Sequence, residues 1–294
     1  MRNINQETVT QAVLASMNCC RSERLHTVMK SLVQHLHAFA REVKLTEDEW
    51  FSAVRFLTEA GDITDDNRQE FVLLSDTLGL SMLVTAQNNC KPAVCTEATV
   101  LGPFYVEGAP EFDNGDDISN GAPGAPCFVR GTVSSLTGEP IAGASLDVWQ
   151  SDEDGLYDVQ RPSDALGEVT HSARGRLHTE LDGSFHFRSI LPEPYSVPDD
   201  GPVGRMLGAL GRSPWRPAHL HFWIRAQGYE PLVTHVFRNN DPYLDSDPVF
   251  GVRSTLISDW IKYEAGVTPD GSVSSTAFYT LDYDFVLNSL RNPA

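Results

Sequence analysis

The sequence is poor in basic residues and has no long apolar run, and each of these absences excludes a class of protein. Its 294 residues contain 22 Lys and Arg against 40 Asp and Glu, which gives a net charge of −18. Because nucleic-acid binding requires clustered positive charge, this balance disfavours a nucleic-acid partner. No stretch reaches the roughly 18 apolar residues that a membrane span needs. We therefore do not expect a membrane-spanning protein.

The cysteines form no recognisable framework. There are five of them, two are adjacent, and their spacings match no zinc motif. An odd set of this kind does not suggest disulfide pairing and fits a reducing compartment. The N-terminal residues MRNINQETVTQ contain no apolar segment of the secretory type. The sequence therefore predicts a cytoplasmic protein.

Proline is almost absent before residue 100, where the apolar pattern is helical. In 28–43, apolar residues recur at three- and four-residue steps, as in an amphipathic helix. Thr46 and Glu49 form a capping box for the following helix, which Gly61 is expected to close. The segment 71–84 is apolar nearly all round, which predicts a buried helix.

After residue 100, glycine and proline become frequent and short strands alternate with turns. Several strands at close spacing are typical of a β-sandwich. The sequence therefore predicts an α+β protein, with a helical part over residues 1–103 and a β-sandwich over residues 104–294. Patterns like GTVSSLTGEPIAGASLDVW also occur in transthyretin-like sandwiches that catalyse nothing, so this stretch alone indicates a fold and no activity. The clearest strands are CFVRGTVSS, ASLDVWQ, SFHFRSI, AHLHFWIRA and LVTHVF.

Two histidines and two tyrosines are the strongest chemical signal in the chain. His219 and His221 lie in RPAHLHFWIRA, a segment with strand character. Side chains two apart on a strand point the same way, so these imidazoles suit adjacent positions on one metal ion. Tyr157 and Tyr195 lie in DEDGLYDVQ and LPEPYSVP, the second held by flanking prolines. Two imidazole nitrogens and two phenolic oxygens, without a cysteine nearby, favour ferric iron over zinc.

Two other interpretations of the histidine pair stay open at this point. A His-x-His pair also occurs in the cupin metal site, which needs a Glu four or five positions later. Arg225 and Ala226 stand at those positions, which weakens the cupin alternative. A zinc or copper enzyme would use His219 and His221 alone and would be indifferent to loss of the two tyrosines.

Six separated segments resemble, in the same order, the intradiol ring-cleavage dioxygenases, specifically the catechol and hydroxyquinol 1,2-dioxygenases. The resemblance covers almost the whole chain, including its helical N-terminal part. The spacing of Arg216, His219 and His221 matches the family's R-x-x-H-x-H pattern. Besides the helical N-terminal part, the segments are LGPFYVEGAP, GEPIAGASLDVWQ, DGLYD, PEPY and RPAHLHFWI, the last of which contains this pattern.

The resemblance implies a transthyretin-like catalytic sandwich with one ferric iron per subunit, held by Tyr157, Tyr195, His219 and His221. A trivalent cation would lower the phenol pKa, which is ordinarily near 10. Tyr195 would also leave the metal as an internal base when a diphenol loses its two protons. Dioxygen would then attack the ring, which opens between the two hydroxylated carbons. The family further implies a homodimer formed through the N-terminal helices, in some members with bound phospholipid.

Two further residues are assigned to the reaction. Arg216 could stabilise negative charge on the ring, and its alternative is an ordinary salt bridge to a carboxylate. His235, in LVTHVF, stands where catechol enzymes of the family carry Gln. An imidazole can hydrogen-bond a reacting oxygen or exchange a proton, whereas strand alternation alone would make His235 a packing residue.

Substrate choice is expected to depend on Asp76, a carboxylate within the most apolar helical segment. If it faces the pocket, it accepts a hydrogen bond from a third ring hydroxyl. Catechol lacks that hydroxyl and would leave the carboxylate unpaired, at a cost of ~1–3 kcal/mol. LGPFY, THVF and DSDPVFGV also resemble the hydroxyquinol branch. Carried over by position, the pocket wall is Leu73, Asp76, Val100, Leu101, Gly102, Pro103, Phe104, Val197, Pro198, Arg216 and Val249.

Hydroxyquinol (benzene-1,2,4-triol) is thus the expected substrate. The expected product is 3-hydroxy-cis,cis-muconate, which tautomerises to maleylacetate. A catechol or chlorocatechol 1,2-dioxygenase is the alternative within the family. A non-catalytic transthyretin-like binding module is the alternative from another class, and it predicts a colourless, iron-free protein, whereas ferric tyrosinate is coloured.

Overall fold

The structure, a computed structural model, describes residues 2–65, 68–161 and 171–290. The chain forms two compact units, Met1–Asp62 and Ile63–Ala294. Five of the six α-helices described precede the first strand, so the predicted α+β class is confirmed. No described helix combines the length and the apolar composition needed to cross a bilayer.

The first unit consists of three helices, α1 (Val9–Ser16), α2 (Glu23–Glu42) and α3 (Glu47–Asp62). The predicted capping box of α3 is present. The Glu49 N–H donates to Thr46 Oγ1 at 3.3 Å, and the Thr46 N–H donates to Glu49 Oε2 at 2.9 Å. The helix continues through Gly61 to Asp62, so the expectation that Gly61 closes it is wrong.

The apolar face of α2 is exposed. In the described part of the chain, α1 and α2 contain no buried residue, and α3 buries only Ala60. An apolar surface of this extent is where association with another surface would be favourable. Its large exposed side chains include Leu25, Val28, Leu32, Leu36 and Phe39 on α2, and Trp50, Phe51 and Leu57 on α3.

The single helix predicted over 71–84 is two helices, α4 (Glu70–Thr77) and α5 (Leu80–Asn88). The break falls at Gly79, whose φ of 74° lies in the left-handed region that glycine adopts without a steric cost. The prediction of one continuous helix is therefore wrong, because helical periodicity alone does not reveal a backbone reversal.

Burial within α4 is also the reverse of the prediction. Phe71 and Val72 are exposed in the chain, whereas Glu70 and Asp76 are buried. Glu70 is buried because its carboxylate has partners, among them the N–H of Val203 in the first turn of α6 (Pro202–Ala209), at 3.0 Å. This contact ties α4 to α6.

The strands all lie in the second unit. In chain order they are β1 (Pro126–Ser135), β2 (Ser145–Gln150), β3 (Arg174–His178), β4 (Ser184–Ile190), β5 (Tyr195–Ser196), β6 (Trp215–Arg216), β7 (His219–Arg225), β8 (Leu232–Arg238), β9 (Ile257–Ser258), β10 (Ile261–Tyr263), β11 (Gly266–Val267), β12 (Val273–Ser274), β13 (Phe278–Asp282) and β14 (Phe285–Leu287). One five-stranded sheet has the order β3-β2-β7-β8-β9. The other has the order β10-β13-β1-β14, with β4 also paired to β1. Short ladders join β5 to β6 and β11 to β12.

Both large sheets contribute to one apolar core, and β7 connects that core to the candidate site. Leu220, Phe222 and Ile224 point into the core. Since strand side chains alternate, His219 and His221 point to the opposite face. The core residues include Val129, Phe187 and Phe285 from the second sheet and Leu146, Val148 and Val236 from the first.

Candidate metal centre and cavity

Strand β7 holds the two histidines at contact distance. Their Nε2 atoms are 3.1 Å apart, and each residue is about 1 % exposed. Trp149 of β2 lies opposite His221 in register, and His235 of β8 lies opposite it on the other side. The predicted side-by-side placement of the imidazoles is therefore present.

The two tyrosines reach the histidines from separate loops. Tyr157 Oη lies 2.9 Å from His221 Nε2, and the rings of Tyr157 and Tyr195 are 5.3 Å apart. The loops pack closely at Gly155, where a Cβ would lie 2.8 Å from the carbonyl oxygen of Pro194 and 3.3 Å from Tyr195 Cβ. Gly155 therefore leaves no room for a side chain between the tyrosine loops.

The donor set fits a cation. His219 Nδ1 donates to the Pro217 carbonyl at 2.6 Å, which leaves the Nε2 lone pair facing His221. Burial lowers the pKa of His219 to about 3 and that of His221 well below its ordinary value, so both imidazoles are neutral, as metal ligation requires. Two lone pairs at 3.1 Å repel unless a proton or a cation lies between them. Donors bound at about 2.1 Å and at right angles on one ion lie about 3 Å apart, which matches this spacing.

Tyr157 is also consistent with a positive ion in the site. It is completely buried, and burial raises its pKa well above the ordinary value. A bound multivalent cation would oppose this effect, since it stabilises the phenolate. With two hard phenolic oxygens and two imidazole nitrogens, the set suits iron.

The two histidines are held in different ways. The other ring nitrogen of a metal-ligating histidine usually makes a hydrogen bond, and that of His219 does so. His221 Nδ1 has no hydrogen-bond partner among the described residues. Its ring instead stacks on Trp149, with centroids 4.6 Å apart and planes at 17°. Trp149 therefore orients His221 by stacking.

His235 lies directly beside the pair. Its ring centroid is 4.2 Å from that of His221 and 4.8 Å from that of His219. It is fully buried, and neither ring nitrogen has a hydrogen-bond partner within the described ranges. The ligand atoms of His219, His221 and His235 lie within 4.8 Å of one another, so this cluster could hold a metal ion.

Arg216 borders the same site. Its Nη1 donates to Tyr195 Oη at 3.1 Å and lies 3.4 Å from His219 Nε2. Its Nε donates to Asp247 Oδ1 at 3.0 Å, and both side chains are about 3 % exposed. Sequence reasoning missed Asp247, because an Asp in a turn 31 residues away gives no signal of this contact.

A cavity of about 190 Å³ begins at Tyr195 and Arg216. An apolar cavity of roughly 150 Å³ holds a benzene ring, so this volume suits one substituted ring. Ten of the eleven residues predicted for the wall line it. The exception is Leu101, which lies outside the lining and is exposed. The predicted residues in the lining are Leu73, Asp76, Val100, Gly102, Pro103, Phe104, Val197, Pro198, Arg216 and Val249, and those not foreseen are Arg68, Gln69, Glu70, Val72 and Gln160, besides the predicted ligand Tyr195.

Asp76 supplies a buried carboxyl to this wall. It is 7 % exposed. Burial raises its pKa, against the opposing effects of a hydrogen bond from Ser81 and the charge of Arg216. A polar group of this kind, in a mostly apolar cavity, is what fixes the orientation of a small ligand.

Comparison with known proteins identifies the class. A family model described as "Dioxygenase" matches residues 100–289, and one described as "Catechol dioxygenase N terminus" matches residues 22–96. With the relatives described next, these matches show that the chain belongs to the intradiol ring-cleavage dioxygenase family, as the sequence motifs indicated.

Relatives at 43–53 % identity are named for hydroxyquinol or its chlorinated form, and relatives at lower identity include some named for catechol. The chain is 53 % identical, over 98 % of its length and 99 % of the relative, to a protein from Cupriavidus pinatubonensis named 6-chlorohydroxyquinol 1,2-dioxygenase. It is 47 % identical, over 96 % and 95 %, to the hydroxyquinol 1,2-dioxygenase of Nocardioides simplex. A crystal structure of hydroxyquinol 1,2-dioxygenase from Pseudomonas putida superposes with a TM-score of 0.88 at 43 % identity, covering 97 % of this chain and 99 % of that one. Catechol 1,2-dioxygenase from Pseudomonas arvilla gives 0.82 at 30 %, covering 98 % and 92 %.

Proposed function

We propose that the chain is a ferric-iron intradiol dioxygenase that cleaves hydroxyquinol with dioxygen between adjacent hydroxylated carbons. The product would be 3-hydroxy-cis,cis-muconate, which tautomerises to maleylacetate, in the degradation of aromatic compounds. The observation that carries the substrate assignment is the buried carboxyl of Asp76 in a ring-sized cavity that Tyr195 and Arg216 also line. The names of the similar relatives support it.

Tyr157, Tyr195, His219 and His221 would hold one iron ion per subunit. When bound, ferric iron supplies a Lewis acid that draws electron density from the deprotonated ring and makes it reactive toward dioxygen. The protein contributes the ligands, a largely apolar cavity, and the groups that move protons and balance charge.

Tyr195 is the ligand best placed to move a proton. It lines the cavity, and Nη1 of Arg216 donates to its Oη at 3.1 Å. A diol that binds a cation through both oxygens gives up two protons, and Tyr195 Oη is the group lining the cavity that would accept one of them, the other passing to solvent or to a hydroxide on the ion. Arg216 stays charged throughout and stabilises negative charge on the ring. His235 donates a hydrogen bond to a reacting oxygen, a role supported by its free ring nitrogens among the described residues.

Asp76 selects the third hydroxyl group. A triol places a hydroxyl against this carboxyl, whereas catechol leaves it buried without a partner from the substrate. Asp76 keeps its hydrogen bond from Ser81 with either substrate, and the lost hydrogen bond to the ring hydroxyl costs ~1–3 kcal/mol, which corresponds to roughly 5- to 150-fold in specificity. Catechol and chlorocatechol are thereby the weaker candidates.

A chlorinated triol is the second candidate substrate. The relative from Cupriavidus pinatubonensis is named for 6-chlorohydroxyquinol. This compound keeps the hydroxyl that Asp76 would bind, so Asp76 does not discriminate it from hydroxyquinol.

The test is a comparison of kcat/KM for hydroxyquinol, 6-chlorohydroxyquinol, catechol and 4-chlorocatechol, with iron content and a visible spectrum measured on the same preparation. We expect a tyrosinate absorption band and a preference for the triols of at least about 10-fold. A higher kcat/KM for catechol would reject the substrate. A colourless protein that takes up no iron and opens no ring would reject the class of reaction.

We also propose that residues 104–294 form a transthyretin-like catalytic sandwich and that residues 1–103 form a dimerisation region. The common core of the two large sheets supports the first. The exposed apolar face of α2 supports the second. A monomer in sedimentation velocity would reject the dimer, and organic extraction followed by mass spectrometry would test for phospholipid.

A further inference from the structure

The orientation of Arg216 is set from the side that faces away from Tyr195. A guanidinium carries five N–H donors in one rigid plane, so the partner of one edge decides where the other edge points. Asp247 takes the first edge, with Nε–Oδ1 at 3.0 Å and Nη2–Oδ2 at 3.5 Å. Nη1 is the remaining corner, and it donates to Tyr195 Oη at 3.1 Å. The carboxylate thus aims the guanidinium at the phenol.

Asp247 is itself fixed by the turn that follows it. Its Oδ2 accepts the N–H of Gly251 at 2.8 Å, and its Oδ1 accepts the N–H of Val249 at 3.4 Å. A Cβ on Gly251 would lie 3.1 Å from Arg216 Nη2 and 3.2 Å from Asp247 Oδ2. The turn therefore closes over the ion pair, and Val249 enters the cavity wall from it.

The ion pair between Asp247 and Arg216 is shielded from water. Both side chains are about 3 % exposed, so water cannot take the place of a lost partner. A buried guanidinium that loses its carboxylate is left uncompensated, and nothing then holds its plane in the orientation that aims Nη1 at Tyr195 Oη.

We propose that Asp247 is a positioning residue for the reaction. Its carboxylate directs Arg216 Nη1 to Tyr195 Oη, and the same two oxygens fix the turn that brings Val249 to the cavity. This inference rests on the proposed function, which assigns Arg216 and Tyr195 to the reaction.

The main variant is Asp247→Asn, which keeps the size of the side chain and one oxygen but removes the charge. Its amide NH₂ opposes the arginine N–H groups, so the guanidinium loses its guide. We expect kcat for hydroxyquinol to fall roughly 10- to 100-fold, with KM changed less than about 3-fold, because the contact acts on charge that develops during the reaction. Asp247→Glu keeps the charge but displaces the guanidinium, and we expect a fall of at least about 5-fold.

The matched control is Asp147→Asn. Asp147 is also buried, about 1 % exposed, and also pairs with arginines, Arg176 and Arg225. It touches neither the cavity nor the candidate ligands, so kcat should stay near that of the parent. Thermal unfolding of both Asn variants separates a loss of stability from a loss of rate. If Asp247→Asn does not fold, Asp247→Glu replaces it as the test variant.

A double-variant cycle tests whether Asp247 acts through Arg216. In an Arg216→Lys background, Asp247→Asn should change kcat by less than about 3-fold, because the group it guides is gone. If the fold-changes in kcat of the two single variants multiplied fully in the double variant, the proposal would be overturned. A parent-like kcat in folded, iron-loaded Asp247→Asn would also overturn it.

A crystal structure of Asp247→Asn gives a readout that does not depend on activity. If Arg216 Nη1 still lay within hydrogen-bond distance of Tyr195 Oη, the proposal would be overturned. If the parent protein opened no ring, the proposed function would fail. The crystal structure of Asp247→Asn would still show whether Asp247 sets the orientation of Arg216.

Discussion

Two parts of the site are built differently: the ligand end, which is the four candidate ligands, and the wall end, which is the cavity wall around Asp76. At the ligand end, His219, His221, Tyr157 and Tyr195 are at most 5 % exposed and are held by strand register, by stacking and by close packing at Gly155, and Tyr195 alone of the four lines the cavity. At the wall end, Asp76 comes from a short helix in which Phe71 and Val72 are exposed. The difference indicates that changes at the ligand end remove the reaction, whereas changes at the wall redirect it among substrates.

The largest effect on activity is expected at the ligand end, from His221→Ala. Loss of this ligand should remove most of the bound iron and lower kcat by roughly three orders of magnitude or more. Elemental analysis and steady-state kinetics measure both quantities. His178→Ala is the control, since that side chain is 52 % exposed and lies away from the site. Retention of iron and rate by His221→Ala would contradict the ligand assignment.

A second test asks whether stacking orients His221. Trp149→Leu should weaken iron binding roughly 10- to 100-fold, as loss of a group that orients a ligand does. Trp260→Leu is a matched control, because Trp260 is also buried and its indole N–H also lacks a partner among the described residues. Both should lose stability, because each removes a buried ring, and only the first should lose metal affinity. Equal iron affinities, measured by competition with a chelator, would reject the orienting role of Trp149.

At the wall end, Asp76→Leu should change selectivity more than rate. The ratio of kcat/KM for hydroxyquinol to that for catechol should fall about 10- to 100-fold, because a paired carboxyl is replaced by an apolar group. Turnover of catechol in the same preparation shows whether the site remains intact. An unchanged ratio would remove Asp76 from the substrate assignment.

The ligand end should also make the metal-free protein acid-sensitive. Burial lowers the pKa of His219 to about 3 and those of His221 and His235 well below the ordinary value. In the unfolded chain these histidines have pKa values near 6.5, so below that pH the unfolded state binds more protons than the folded state. Stability that the metal-free protein has above pH 6.5 is therefore lost as the pH falls toward 3.

Urea unfolding at pH 7.5 and pH 5.5 measures this loss. Each of the three histidines should contribute about 1 kcal/mol over that interval, and His235→Gln should reduce the total by about a third. Equal free energies of unfolding at the two pH values would show that the histidines are not neutral and buried without metal.

The smallest effect on activity is expected from the first unit. Leu32→Glu with Leu36→Glu places charges on the exposed face of α2. If that face forms a dimer, sedimentation should show dissociation, while kcat changes less than about 2-fold, because the cavity lining contains no residue of α2. Unchanged association would assign the dimer, if present, to another surface.

Sequence reasoning predicted features with a local period and missed those that depend on long-range packing. The histidine pair follows from the two-residue period of a strand, and the capping box of α3 from a three-residue spacing. The break at Gly79 and the exposure of Phe71 did not follow, because they depend on which face of α4 the rest of the unit covers. Asp247 could not be predicted, because nothing in a turn sequence specifies an arginine 31 residues away.

The close approach at Gly155 has a consequence for how Tyr195 can detach from an ion. Its main chain is pressed against Gly155 on one side and paired in a ladder with Arg216 on the other. The phenol would therefore swing about its own side-chain bonds while the backbone stays in place. Substrate entry past Tyr195 would then require the movement of one ring, away from its hydrogen bond with Arg216, and no opening of the loop that carries it.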